Sequence, residues 1–69
     1  MTTTKVIELV GESTQGWEDA VENAIAEANR TLDDITGVEV MNMTANVHDG
    51  RVTEFKVNLN VAFPVKGSR

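Results

Sequence analysis

Cysteine and tyrosine are absent from this 69-residue sequence, and histidine, tryptophan and proline each occur once. Without cysteine the chain has neither a disulfide nor a thiolate metal site, and His48 alone cannot build a zinc site. A chain of this length forms one domain with a small core, which usually needs a disulfide, a metal or self-association for stability. Because the composition excludes disulfides and thiolate metal sites, self-association is the means of stabilisation that remains. We therefore expect an oligomer.

Positive charge is also scarce, since six Lys and Arg residues stand against eleven Asp and Glu residues, for a net charge of −5 at pH 7. Nucleic acids and anionic membranes are bound through basic surfaces, so this balance argues against both as partners. The segment Met1–Lys5 has no apolar stretch of the signal-peptide type, and no apolar run approaches the length of a membrane span. We therefore expect a cytoplasmic protein.

Hydrophobic patterning in the first half of the chain predicts a strand followed by a helix. β-Branched residues over Lys5–Val10 predict a strand that ends at Gly11. Ser13 and Thr14 offer hydroxyl groups that could cap the helix that follows. Apolar residues then recur every three or four positions, which predicts a helix of about 16 to 18 residues. They are Trp17, Ala20, Val21, Ala24, Ile25, Ala28 and Leu32.

The second half of the chain has the pattern of a β-hairpin. Predicted strands over Val38–Val47 and Val52–Val65 flank the segment His48–Arg51, whose Asp-Gly pair is a strong signal for a two-residue turn. A strand, a helix and a hairpin make an α+β fold of β-α-β-β order. We expect a three-stranded antiparallel sheet wrapped around the helix, with the third strand at its centre and two open edges.

Counting outward from that turn pairs His48 with Arg51, Val40 with Leu59 and Val38 with Val61, and it assigns the remaining hairpin residues to two faces. The face predicted to pack on the helix carries Val38, Val40, Phe55, Val57, Leu59, Val61 and Phe63, with Asn42 and Thr44 as polar exceptions. The opposite, mixed face carries Gly37, Glu39, Met41, Met43, Lys56, Asn58, Asn60 and Ala62. This second face suits a subunit interface or a shallow ligand site.

No catalytic constellation is present, so we do not expect an enzyme. The only histidine lies in the predicted turn, where it should be solvated, and no glycine pair has phosphate-loop spacing. Asp33 and Asp34, helped by Glu39, could hold a hard cation, although adjacent carboxylates at a helix end are usually solvated. The metal-binding question therefore stays open at this stage.

Two kinds of side chain allow either a packing role or a ligand role. Trp17 could stack on an aromatic ligand, but its phase with the apolar positions of the helix favours packing in the core or between subunits. Met41 and Met43 on the mixed face could equally pack against protein or form the floor of a ligand site.

The order and spacing of several segments resemble the dodecin family over nearly the whole chain. These segments are Lys5–Ser13, Trp17–Val21, Thr31–Ile35, Val38–Val40, Asp49–Val52 and Phe55–Phe63. The resemblance implies a single dodecin-like domain over residues 1–69, assembled as a hollow homododecamer. It also implies a non-enzymatic protein that binds and stores flavins, riboflavin or FMN, between its subunits.

In the flavin-binding members that this chain resembles, a tryptophan before the second strand stacks on the flavin ring, and a glutamine in the third strand hydrogen-bonds its polar edge. The corresponding positions here are Gly37 and Lys56. The expected flavin-contacting residues are therefore Gly37, Val38, Met41, Met43 and Lys56. Relatives without the tryptophan are associated with calcium, so a flavin-free shell that binds calcium or another cation is the alternative.

Overall fold

One helix lies between the first strand and a long hairpin in the computed structural model, which describes residues 3–65. The elements are β1 (Thr4–Ser13), α1 (Trp17–Ala28), β2 (Gly37–His48) and β3 (Arg51–Pro64). The central strand is β3, and it pairs antiparallel with β1 on one side and β2 on the other. The predicted β-α-β-β order and the three-stranded antiparallel sheet are therefore confirmed.

The core lies where α1 covers β1 and β3, whereas β2 is left largely uncovered on the helix side. Ala20 and Ala24 of the helix pack against Val57, Leu59 and Val61, and the last three side chains are fully buried. Alternate residues of β1 and β3 point away from the helix, on what we call the outer face of the sheet. From these two strands it carries Val6, Glu8, Val10, Glu12, Lys56, Asn58, Asn60 and Ala62.

Gly11 lies inside β1 rather than at its end, so the predicted end of the first strand was too early. A Cβ atom built at Gly11 would overlap the carbonyl oxygen of Ala20 and lie 3.0 Å from the Cβ of Ala24. The glycine is therefore needed for the close approach of α1 to the sheet, not to interrupt the strand.

Gly11→Ala should lower the free energy of unfolding by about 2 kcal/mol, because the added methyl group meets backbone that cannot move without shifting the helix. Gly37→Ala is the matched control, since a Cβ at Gly37 has no neighbour within 4 Å. Urea denaturation of both variants at one subunit concentration measures the difference. Equal midpoints for the two variants would show that α1 does not approach the sheet as described.

The start of α1 is not capped as the sequence suggests. The N-cap residue is Gly16, which has no side chain, so the first turn of the helix has no side-chain cap. The hydroxyl of Ser13 instead donates to Oδ2 of Asp19 at 2.6 Å and accepts from the backbone N–H of Gln15 at 2.8 Å. Ser13 thus stabilises the turn between β1 and α1 from the strand side, through a carboxylate in the first turn of the helix.

The helix is also shorter than predicted, at 12 residues, and ends at Ala28. Beyond that point the backbone N–H of Arg30 donates to the carbonyl of Glu27 at 3.2 Å, which is the tighter spacing of a 3₁₀ turn. Asp34 then adopts the left-handed conformation, with φ of 58°, as the chain reverses toward β2. Leu32 therefore lies beyond the helix.

The hairpin turn is the predicted one. Asp49 and Gly50 have φ of 51° and 75°, the positive values that a two-residue type I′ turn requires. His48 pairs with Arg51 across the turn, as expected. The imidazole Nε2 of His48 lies 3.3 Å from Oδ2 of Asp49, and both side chains are well exposed, so the solvated position of the histidine is confirmed.

Two of the predicted strand pairs are confirmed, because Val40 lies opposite Leu59 and Val38 lies opposite Val61. Most pairs between these and the turn differ by one residue from the predicted register. One extra residue on β3 near the turn shifts the register, and one extra residue on β2, Met41, restores it. The hairpin thus contains two β-bulges that compensate each other.

In the part of β2 between the two bulges, each side chain points to the face opposite to the one predicted. Met43 lies opposite the buried Val57 and so belongs to the helix side, not to the outer face. Asn42 and Thr44 lie on the outer face, where the side-chain amide of Asn58 donates to Oδ1 of Asn42 at 3.0 Å. The predicted placement of these three β2 residues was wrong, because a shift of one residue inverts the alternation of side chains.

The subunit is too extended to bury all of its apolar side chains. Its radius of gyration is 14.2 Å, whereas a compact domain of 69 residues has about 11 Å. Apolar side chains of β2 remain accessible, with Val40 45% and Met43 58% exposed. Exposed apolar area of this kind is typical of a subunit interface. Within residues 3–65, no helix has the length and apolarity to cross a bilayer.

Candidate functional site

Residues of the three strands meet in cross-strand rows on the outer face. In one row Ala62 of β3 is paired with Val6 of β1 and with Gly37 of β2, and none of the three residues has a polar side chain. In the next row Asn60 lies between Glu8 and Glu39. An apolar row thus adjoins a polar one at the sheet end where β2 begins.

A shallow cavity of about 310 Å³ lies over these two rows. Gly37 leaves the space open, because a Cβ built on it has no other atom within 4 Å. Val6, whose aliphatic side chain lies on this face, stays accessible and is 55% exposed. The cavity is lined by Val6, Gly37, Val38, Glu39, Asn60 and Ala62.

Polar groups stand on one side of this apolar floor. The side-chain amide of Asn60 donates to the thioether sulfur of Met41 at 3.3 Å. The amide nitrogen of Asn60 carries two hydrogens, so one remains for another partner besides the weakly accepting sulfur. The amide oxygen of Asn60 can accept a hydrogen bond. Glu39 adds a carboxylate that can only accept when it is ionised. The site therefore offers a donor and two acceptors beside a flat apolar surface.

Of the five residues expected at a ligand site, Gly37 and Val38 line the cavity, although Val38 is paired with the buried Val61 and its side chain lies on the helix side of the sheet. Met41 lies next to it through its contact with Asn60. Met43 does not take part in this cavity, since the bulge at Met41 places it on the helix side of the sheet.

Lys56 is on the outer face, as expected, but it is not close to Gly37 within one chain. It lies six residues along β3 from Ala62, the partner of Gly37, which is a distance of about 20 Å. Its ammonium nitrogen lies 3.7 Å from a carboxylate oxygen of Glu12 and 4.0 Å from one of Glu54. A single site that uses both positions would need two subunits.

The sequence pattern did not single out four of the six lining residues. Glu39, Asn60 and Ala62 were placed on the right face but not assigned to the site, and Val6 was not considered. The signal for Val6 was present in the alternation of β1, which puts Val6 and Ile7 on opposite faces. Using it requires the register between β1 and β3, and no short turn connects those two strands.

Trp17 lies far from this cavity and packs against its own chain. Its ring is 4.8 Å from that of Phe55 in an edge-to-face arrangement, and its indole N–H donates to the carbonyl of Thr44 at 3.0 Å. The hydrogen bond ties the start of α1 to β2, on the side that the helix otherwise leaves uncovered. The predicted packing role is confirmed within the subunit, where Trp17 stays 39% exposed.

A metal site is not formed by the described part of one chain. Among residues 3–65, no three His, Cys, Asp or Glu side chains come together in a way that could hold a metal ion. Asp33, Asp34 and Glu39, which the sequence left open as a cation site, are therefore not assembled into one within the described part of the subunit.

Comparison with known proteins gives one consistent result. The family model for dodecins matches residues 3–66. The dodecin of Thermus thermophilus is 37% identical over 59 residues, which are 86% of each chain. The calcium dodecin of Mycobacterium tuberculosis is 29% identical over 66 residues, 96% of this chain and 93% of that one.

Solved structures agree with this match. The dodecin of Streptomyces coelicolor superimposes with a TM-score of 0.93 at 34% identity, over 97% of this chain and 96% of that one. The calcium dodecin of Mycobacterium tuberculosis, whose structure carries a calcium-binding site, superimposes with a TM-score of 0.81 at 29% identity, over 97% of this chain and 96% of the other.

Proposed function

The chain belongs to the dodecin family, and on that premise we propose that it is a non-enzymatic binding and storage protein that assembles as a homododecamer. The proposed ligand is a flavin, riboflavin or FMN. The observation that carries this proposal is the open cavity beside Gly37, with an apolar floor and a polar side.

The shape and chemistry of the cavity suit a flat heteroaromatic ring. Apolar side chains of Val6 and Ala62 offer dispersion contacts to a ring face, and their burial under a ligand contributes roughly 25 cal/mol per Å². Asn60 and Glu39 lie to one side, where the donors and acceptors of a pyrimidine-like ring edge could reach them. The open geometry leaves one face of the ligand uncovered by this subunit.

Assembly would bring the second half of the ligand site, which a single subunit lacks, from a neighbouring chain. Gly37 and Lys56 are about 20 Å apart in one chain, so a site that joins the two positions lies between subunits. The apolar side chains of β2 that α1 leaves accessible give the chain a surface for a neighbour. We propose that the homododecamer closes these surfaces and covers the second face of the ligand.

Riboflavin fluorescence tests the proposed binding directly. Titrating riboflavin with the purified protein should quench its emission to a plateau, and Ala62→Glu should abolish the quenching by placing a charged side chain in the cavity floor. Ala26→Glu, on the exposed surface of α1, adds the same charge elsewhere and should leave the titration unchanged. Unchanged riboflavin emission with the native protein would remove the flavin proposal.

Calcium binding is the second candidate, and the similarity to the calcium dodecin of Mycobacterium tuberculosis favours it. The net charge of −5 suits a cation. Its ligands would come from neighbouring chains, since residues 3–65 of one chain assemble no such cluster. Isothermal calorimetry with calcium chloride distinguishes the candidates, because a flat trace would eliminate calcium while leaving the flavin proposal intact.

A further inference from the structure

The hairpin of β2 and β3 allows two strand registers that share both ends. The pair Val40–Leu59 and the pairs beside the turn are those that uninterrupted counting from the turn gives. Between them one extra residue on each strand, Met41 of β2 and Thr53 of β3, leaves the pairing one residue out of step with that count. Removing both bulges together would change the partners of residues 41–46 and keep the pairs at both ends. We call the two arrangements the bulged register and the unbulged register.

The two registers place different side chains of β2 on the helix side of the sheet. In the bulged register Met43 lies opposite Val57 and Ala45 lies opposite Phe55, so apolar residues face that side. A shift of one residue inverts the alternation of side chains. In the unbulged register the helix side of this part of β2 would carry Asn42, Thr44 and Asn46.

Side-chain hydrogen bonds on the outer face favour the bulged register. The amide of Asn58 donates to Oδ1 of Asn42 at 3.0 Å, and the amide of Asn46 donates to Oε1 of Glu54 at 3.1 Å. The unbulged register would separate both pairs, because it turns Asn42 and Asn46 to the opposite face. It would gain a backbone ladder without the two unpaired bulge residues. Each register therefore has hydrogen bonds that the other lacks.

The position of β2 in the fold lets its register change. It is an edge strand that pairs only with β3, and α1 leaves it largely uncovered. All of its residues are exposed except Ala45, which is half-buried, so the unbulged register would bury little polar surface within the subunit. Strands that bury neither face have a weakly specified register. The preference between the two registers therefore depends on what covers the helix side of β2.

We propose that this hairpin is an assembly switch, in which the free subunit populates both registers and packing of a second copy on the helix side of β2 selects the bulged one. The inference rests on the proposed homododecamer. A neighbour on this surface buries Met43, Ala45 and Val47 in the bulged register. In the unbulged register it would bury polar side chains, which is costly unless each finds a hydrogen-bond partner. Assembly and the bulged register therefore stabilise each other.

Engineered cysteine pairs report the register, because the native chain has no cysteine. Asn46→Cys with Glu54→Cys joins two residues that are partners in the bulged register. Ala45→Cys with Glu54→Cys joins residues that are partners only in the unbulged register. In the bulged register these two side chains point to opposite faces of the sheet, so a disulfide cannot bridge them.

The rate of intrachain disulfide formation in oxidised glutathione measures the two populations. At subunit concentrations low enough to dissociate the assembly, we expect Ala45→Cys/Glu54→Cys to close roughly 10- to 1,000-fold more slowly than Asn46→Cys/Glu54→Cys, since minor conformations are commonly about 0.1–10% populated. Raising the concentration until the protein assembles should slow the first pair by about tenfold more and leave the second unchanged.

Sedimentation of the oxidised variants tests the link to assembly. Oxidised Asn46→Cys/Glu54→Cys should sediment as a particle of twelve subunits, whereas oxidised Ala45→Cys/Glu54→Cys should sediment as a single chain of 7.5 kDa. Reduction of the second variant should restore the particle, so each protein is its own folding control. Met43→Cys with Lys56→Cys joins another pair that only the unbulged register brings together, and it should behave in the same way.

The outcomes separate the switch from the assembly on which it rests. If neither unbulged pair closes in the free subunit while Asn46→Cys/Glu54→Cys closes readily, the second register is overturned and assembly stands. An oxidised Ala45→Cys/Glu54→Cys variant that still sediments as the native particle overturns the link between register and assembly. Native protein that stays monomeric at every concentration overturns the proposed homododecamer and this switch together.

Discussion

Gly37→Trp should tighten riboflavin binding by about 30-fold, which corresponds to about 2 kcal/mol. An aromatic ring stacked on the flavin contributes roughly 1 kcal/mol beyond area burial, and burial of its apolar surface adds about as much again. The subunit has room for the ring, because no atom beyond the adjacent residues of the chain lies within 4 Å of a Cβ at position 37. Fluorescence titration of native and variant protein measures the gain.

Gly37→Leu is the control that separates stacking from added apolar area. It fills the same space without an aromatic face, so we expect a gain of only a few-fold in riboflavin affinity. Equal affinities for the native protein and Gly37→Trp would mean that the ring of the ligand does not lie over Gly37. Equal gains from leucine and tryptophan would mean that the ligand is held by burial alone.

Leu59→Ala should lower the free energy of unfolding by about 3 kcal/mol, since it removes a fully buried side chain from a small core. Leu59 lies on the central strand between Leu9 of β1 and Val40 of β2, so neighbouring backbone is fixed on both sides and cannot collapse into the space. A loss of this size is a large fraction of the stability of so short a chain.

Urea denaturation at a fixed subunit concentration measures that loss, because the apparent stability of an oligomer depends on concentration. Val47→Ala is the control, since Val47 is 64% exposed in the subunit and its truncation should cost less than about 0.5 kcal/mol. A Leu59→Ala variant that unfolds at the same urea concentration as the control would contradict the assignment of the core.

Much of the fold was predictable because its strongest signals are local. The Asp49-Gly50 pair fixes the turn through backbone conformation, and counting from it correctly paired Val40 with Leu59 and Val38 with Val61. The apolar period of α1 likewise indicated which face of the helix is buried. Each of these inferences uses residues that are close in sequence.

The bulge at Met41 was not predictable for the opposite reason. Val40 and Met41 interrupt the alternation of apolar and polar residues between Val38 and Thr44, but two adjacent apolar residues do not by themselves identify a bulge. The bulge is visible only when β2 is paired with β3. Its effect on the site is large, since it moves Met43 to the helix side and leaves Met41 beside Asn60.

The site was predictable only in part, because it draws on strands that are distant in sequence. Gly37 was identified through the family resemblance, and its position on the outer face is confirmed. Val6 joins it only through the pairing of β1 with β3, 56 residues apart along the chain at Val6 and Ala62. The contribution of a second subunit, which Lys56 would require, depends on assembly.

Sedimentation velocity of the protein mixed with riboflavin tests the proposed binding and assembly in one measurement. The boundary is recorded at a wavelength where Trp17 absorbs and at one where only the flavin absorbs. Twelve subunits of 7.5 kDa make a particle of 90 kDa, and we expect both signals to move with a single species of that mass. Protein that sediments as a monomer or dimer, or flavin that stays behind the protein boundary, would contradict the proposal.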